Sequence, residues 1–169
     1  MASIEQVRAI NNPQRAYMWQ VEFVGSPVGG AEVMTLHSTT ANIGGVSTDP
    51  IEINFKSEKH TFAGRTASGR TVSFDFIETE NGETYSFLRS LYNLTHDETD
   101  GTSANRADYS FDLVIKLLAT DDETVTQTHT FKGAYVSEIA EVSLDYGSNE
   151  AMTISATFAY QKHNTGDGE

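Results

Sequence analysis

Cysteine is absent from the 169 residues, which excludes disulfide staples, thiolate nucleophiles and cysteine-ligated zinc. Cations are scarce as well: 11 lysines and arginines stand against 24 aspartates and glutamates, a net charge of −13. A surface this negative repels phosphate backbones and argues against a nucleic-acid grip. No apolar run is long enough to cross a bilayer; the longest, around Leu113–Ala119, contains Lys116. The first nineteen residues hold no continuous apolar stretch of the signal-peptide kind, so a soluble protein made in a cytoplasm is expected. What is present argues for folding. Apolar residues at 38% and aromatics at 10% are too many for a disordered chain. The length suits a single domain over 1–169 with a substantial core.

Groups that could carry catalysis are present but not arranged. His37, His60, His96, His129 and His163 are scattered, with no metal-ligand spacing. No GxSxG elbow occurs, which leaves a serine hydrolase unsupported. The run Gly64–Arg70 lacks the lysine–hydroxyl ending of a phosphate loop, and strand-like alternation rather than a helix follows it at Thr71. Asp97–Gly101 does not match the alternate-residue ligand spacing of a calcium loop. An enzyme, a metal and a cofactor are all unexpected.

Alternation of apolar and polar residues, the mark of a half-buried strand, dominates instead. Tyr17, Trp19, Val21 and Phe23 form one face of a first strand over Tyr17–Val24; a second follows at about Ala31–Thr40. Val72, Phe74 and Phe76 share a face within Thr71–Ile77. Further strands are expected at Tyr109–Ala119, Thr124–Lys132, Val142–Tyr146 and Met152–Gln161. One helix is expected over Glu83–Thr95, with Asn81 as its N-cap and Phe87, Leu88, Leu91, Tyr92 and Leu94 on its apolar face. Residues 1–14 read as an arm closed by Asn11-Asn12-Pro13, and 162–169 as a flexible tail. Seven or eight strands with one flanking helix indicate a mainly β chain, a β-sandwich or partly closed barrel.

Two surface features stand out. The glycine-punctuated stretch 41–70 is too long for an ordinary connection and reads as a projecting loop or hairpin that makes contacts. It carries the cationic cluster Lys56, Lys59, Arg65 and Arg70, with His60 beside it, and acidic stretches elsewhere in the chain could receive it on another copy. Hydroxyl residues also repeat on single strand faces: Thr124, Thr126, Thr128 and Thr130 in one strand, Thr153, Ser155 and Thr157 in another.

The closing third carries a recognisable pattern: Phe131, Lys132, Gly133, Ala134 and Tyr135 leading to Ile139, then Leu144-Asp145-Tyr146, Ser148-Asn149-Glu150 and a last strand ending Phe158-Ala159-Tyr160. In this it resembles the tail tube proteins of contractile-tailed bacteriophages. Arg15–Phe23 resembles that family's first strand, and Lys59–Arg65 its basic, glycine-containing loop. The resemblance runs in order along nearly the whole chain. It implies a structural subunit and no active site. Homohexameric rings would join their inner sheets into one barrel and stack as a hollow conduit for DNA ejection.

The implied partners are other copies of the chain, the tail sheath protein, the baseplate and tail terminator proteins, the tape measure protein and, transiently, genomic DNA. The implied place is the virion tail, assembled in the bacterial cytoplasm, with no membrane. Under this resemblance Lys56, Lys59, His60, Arg65 and Arg70 become candidates for contact between subunits or rings. Thr126, Thr128, Thr153 and Ser155 become candidates for the lumen. A tube subunit of a type VI secretion or extracellular contractile injection system, with protein cargo, is the alternative within the same structural class. A small β-sandwich ligand-binding module is the alternative outside it.

Overall fold

A computed structural model describes residues 13–66, 69–97 and 100–167. The described chain runs β1 (Trp19–Val24), α1 (Ala31–His37), β2 (Ser38–Ile43), β3 (Thr48–Phe55), β4 (Glu58–Thr66) and β5 (Thr71–Ile77). It continues through α2 (Glu83–Thr95), α3 (Arg106–Tyr109), β6 (Phe111–Leu118), β7 (Val125–Ile139), β8 (Thr153–Ala159) and β9 (Lys162–Asp167). The mainly β expectation holds. Among the described residues, seven strands form one sheet in the order β1-β6-β7-β8-β5-β2, with β9 also on β7, while β3 and β4 pair only with each other.

The sheet folds over at β7. The first part of that strand lies between β6 and β9, up to Lys132; its last part, from Tyr135, pairs with β8. Between them Gly133 takes φ +62°, a left-handed conformation that glycine adopts without strain. The Asp112 carboxylate accepts a hydrogen bond from Gly133 N (2.9 Å), and the Arg106 guanidinium donates to its carbonyl (3.3 Å). The Lys132-Gly133 pair of the sequence is therefore a bulge at a corner. It carries β7 on to Ile139 rather than ending it at Lys132, as the sequence suggested.

The two layers close on a core rich in phenylalanine. Alternation places Val21, Phe23, Leu113, Ile115 and Phe131 inward from one layer, and Phe74, Phe76, Ile154, Ala156 and Phe158 from the other; all are buried. Phe23 touches both layers, with ring centroids 6.0 Å from Phe158 and 6.0 Å from Phe111. Helix α2 closes the core with Phe87, Leu88 and Leu91. Asn81 does not cap it. The Glu78 carboxylate does, accepting from the backbone N–H groups of Thr84 (3.0 Å) and Tyr85 (2.8 Å), because Gly82 in left-handed conformation turns the chain back over it.

Three other expectations are corrected. Ala31–His37 is a helix, not a strand; left-handed Gly30 starts it, Met34 anchors it in the core, and only the threonine-rich Ser38–Ile43 is extended. Val142–Tyr146 forms no strand. Asp145 folds that segment into a turn by accepting from Gly147 N and Ser148 N, leaving Leu144 and Tyr146 in solvent. The expected tail contains β9, antiparallel to β7 over Lys132–Gln127. Most of the expected arm, residues 1–12, lies outside the described residues.

β9 is fastened by histidines that sequence spacing left unrelated. His163 stacks on Phe131 (4.4 Å, 16°) and places Nε2 3.1 Å from His129 Nδ1. Burial lowers the pKa of both from the ordinary 6.5, and His163 is lowered further by His129. The neutral pair is therefore the form that belongs to the fold.

Two outcomes follow. Gly133→Ala forces a side chain into the left-handed region and brings its Cβ within 2.6 Å of Arg106 Nη2. It should lower unfolding free energy by about 1–2 kcal/mol, read as a lower urea midpoint; an unchanged midpoint would contradict the corner. The folded histidine pKa values are depressed, so the unfolded chain binds more protons and stability is lost as pH falls through 6.5 toward the folded values. Urea midpoints at pH 7.5 and 5.5 should differ less in the His129→Gln/His163→Gln variant than in the wild type.

Candidate assembly interface

The stretch predicted to project is a hairpin of its own. A two-residue turn joins β3 to β4, and its first residue, Lys56, takes φ +55°, as tight hairpins require. At the base a Cβ on Gly64 would collide with the Asp49 carbonyl oxygen, so only glycine lets the two strands approach there.

Register sorts the hairpin into two faces, since directly paired residues share a side. Ile51 faces Phe62, Ile53 faces His60 and Phe55 faces Glu58, which makes one side apolar. Glu52 with Thr61, and Asn54 with Lys59, make the other side polar. The apolar side is uncovered: Ile51, Ile53, Phe55 and Phe62 are 53, 52, 65 and 56% exposed. Two-stranded hairpins are marginal in water without a face to pack on. This one projects four large apolar side chains into solvent, which marks a contact surface.

The cationic candidates divide. Lys59 is spent inside the hairpin on Glu52 (2.6 Å), and His60 stands 3.6 Å from Glu58. Lys56, at the tip, lies over the Phe55 ring at 5.5 Å and has no ion pair among the described residues; Arg65 is exposed on β4. Arg70 is not on the hairpin. It opens β5, where its guanidinium donates to the Gln161 carbonyl and its own carbonyl accepts from Tyr160 N, tying the β8–β9 corner to β5. The charge count drew attention to the cations, whereas the apolar face is the larger feature. Its only sequence signal was the alternation of Ile51, Ile53 and Phe55.

The four hydroxyl candidates also divide. Thr126 and Thr128 lie on the outer face of the β1-β6-β7 layer, opposite the buried Phe131 side. Thr153 and Ser155 lie on the outer face of the β7-β8-β5-β2 layer, at the far end of β7: Ala156 pairs with Ile139, whereas Thr128 pairs with Gly166. The second face is the more coherent. Thr157 and Ser155 of β8 stand opposite Ser73 and Asp75 of β5, with Asn42 and Glu138 on the flanking strands. The Ser155 hydroxyl donates to the Asp75 carboxylate. Among the described residues, β2 in that layer pairs only with β5, and residues 135–139 of β7 pair only with β8, so both lateral edges are open there. Open edges are a standing template for another chain.

Among the described residues no cluster of three metal-ligating side chains occurs. None of the described helices is long and apolar enough to cross a membrane.

Comparison with known proteins gives a coherent result. A family model described as phage tail tube protein matches residues 9–166. No curated protein matches the chain in sequence. Among solved structures, the chain is similar to one from the PVC sheath–tube complex of an extracellular contractile injection system in the extended state, with TM-score 0.67 and 15% identity over 99% of both chains. It is similar to a chain of the anti-feeding prophage tube-terminating cap, with TM-score 0.69 and 14% identity, again over 99% of both. It is also similar to the SPP1 tail tube, with TM-score 0.57 and 11% identity over 93% of this chain and 80% of that one. At these identities the structures establish a shared fold.

Proposed function

This chain belongs to the phage tail tube protein family, and we propose that it forms hexameric rings that stack into the hollow tube of a contractile tail, through which DNA is ejected. The family is one of structural subunits, and the chain is not an enzyme. The observation that carries the finer reading is the β7-β8-β5-β2 layer, with two open edges and an outer face of hydroxyls and acids. Six copies placed edge to edge, β2 of one against residues 135–139 of the next, would satisfy the unpaired backbone groups and close a barrel.

The outer face of that layer then lines the bore. Ser73, Asp75, Glu138, Thr153, Ser155 and Thr157 present no cation, so a passing polyanion finds water and like charge rather than a binding surface. Thr126 and Thr128, on the opposite layer, would face away from it. The apolar side of the β3–β4 hairpin, with Lys56 and Arg65, makes the contact with a neighbouring copy. Sheath, baseplate, terminator and tape measure proteins are the partners that such a tube implies, and the virion tail is its place. Extracellular contractile injection systems share the fold, as the PVC chain illustrates; a tube with protein cargo is therefore the second reading.

Negative-stain imaging of the concentrated protein should give rings or hollow rods of constant bore. The Ile53→Ser/Phe55→Ser variant should remain a folded monomer with stability within about 0.5 kcal/mol of wild type, since both side chains are exposed, and form no rods. Rods of normal length from that variant would remove the hairpin from assembly. Lysine at Thr153 and Ser155 should slow DNA ejection from assembled particles, whereas lysine at Thr126 and Thr128 should not. The reverse pattern would put the other layer on the bore.

A further inference from the structure

The sheet order β1-β6-β7-β8-β5-β2 leaves β1 and β2 as its two ends, and between them the fold has a seam. A groove of about 650 Å³ lies there, walled by Tyr17 and Trp19 on the β1 side, Leu36 and Thr39 on the α1–β2 side, and Leu118 and Asp122 at the end of β6. Its apolar side chains sit among the polar Gln20, Thr35 and Ser38; Leu36 is 83% and Tyr17 71% exposed, although Trp19 packs partly on the core. Among the described residues nothing covers the exposed apolar side chains of the groove or of the hairpin face, and the hairpin does not line the groove.

Resting on the reading of the hairpin as an inter-copy contact, we propose that the hairpin of one copy seats its apolar face in the β1–β2 seam of the next. Charge favours this pairing. Glu52 neutralises Lys59 within the hairpin, and Lys56 at the tip has no ion pair among the described residues; the exposed Glu58 carboxylate stands near it, 3.6 Å from His60. The groove ends at the acidic turn Asp121-Asp122-Glu123. Asp121 is held ionised there by hydrogen bonds from Thr124 Oγ1 and from the backbone of Thr124 and Glu123, while Asp122 faces the groove. The nearby cation Arg15 is turned to the Tyr17 hydroxyl (2.9 Å). Phe55, next to Lys56, would enter between Leu36 and Trp19 as Lys56 reaches Asp122.

The geometry of the pairing also suits an open assembly. Hairpin and groove are different surfaces, so the contact is head-to-tail: each copy that donates a hairpin still offers a groove. Such contacts propagate into rings or filaments, whereas a self-complementary patch stops at a dimer.

The absence of cysteine makes the test clean. Phe55→Cys and Leu36→Cys chains, purified separately under reducing conditions, are mixed, assembled and oxidised. A mixed disulfide between the two variants is expected on a non-reducing gel, because bridging needs Cα atoms within about 7 Å. The double variant should give a ladder of oligomers. Should either substitution block assembly, Ile53→Cys with Thr39→Cys probes the same seat. Rods that assemble and give no mixed disulfide in either pair overturn the groove assignment, as does crosslinking of Phe55→Cys only to itself. Failure of the wild-type chain to assemble at all overturns the underlying reading instead. Independently, Lys56→Asp should abolish rods and Asp122→Lys should restore them in the double variant; no restoration counts against the tip contact.

Discussion

Everything in this fold turns on the left-handed glycine at 133, because one strand has to serve two layers. β7 spans fifteen residues and pairs with three different strands. A regular strand of that length would carry all its partners in one continuous sheet, with no second layer to pack against. At Gly133 the extra twist of the bulge turns the second half away. The Asp112 carboxylate and Arg106 guanidinium hold the two polar groups of the bulged residue that the ladder would otherwise leave open. Once the corner is set, Phe23, Phe74, Phe76, Phe111 and Phe158 meet across the interior, and burial of each contributes about 1.5–3 kcal/mol.

That closure determines what is left outside. The core closes within one chain, and among the described residues the open surfaces include the edge of β2, the edge of residues 135–139, the apolar side of the β3–β4 hairpin and the β1–β2 seam. Backbone groups at an edge want another strand, and apolar side chains in water want cover; another copy of the chain can supply both. Function in such a molecule is a property of surfaces. Under the proposed function, the acid-and-hydroxyl face of β5 and β8 would work by binding nothing, which is what a conduit requires of its wall.

Legibility from sequence followed the strength of the local period. β5 and α2 were placed at their observed bounds, because Val72-Phe74-Phe76 and Phe87-Leu88-Leu91 each follow a single periodicity without competing signals. α1 was misread because seven residues are too few for a helical stripe to declare itself, and the threonines after it suggested extension throughout. β9 was missed because Lys162–Asp167 carries no apolar alternation; its hold on β7 comes from backbone pairing and the His163–Phe131 stack, both set by long-range register. The projecting hairpin was visible as an excursion, but charge drew attention to its cations before register showed which side was apolar. The division of the hydroxyl residues between two layers depends on the corner at Gly133, and no local pattern reveals it.

The central claim is that the β7-β8-β5-β2 layer is the wall of the conduit and that its open edges join neighbouring copies. A helical reconstruction of the assembled tube by electron cryomicroscopy tests it most directly. The account predicts β2 of each copy lying beside residues 135–139 of the next, with Ser73, Asp75, Ser155 and Thr157 facing the bore. A bore lined by Thr126, Thr128 and Thr130, or rings joined through β9 instead, would contradict it.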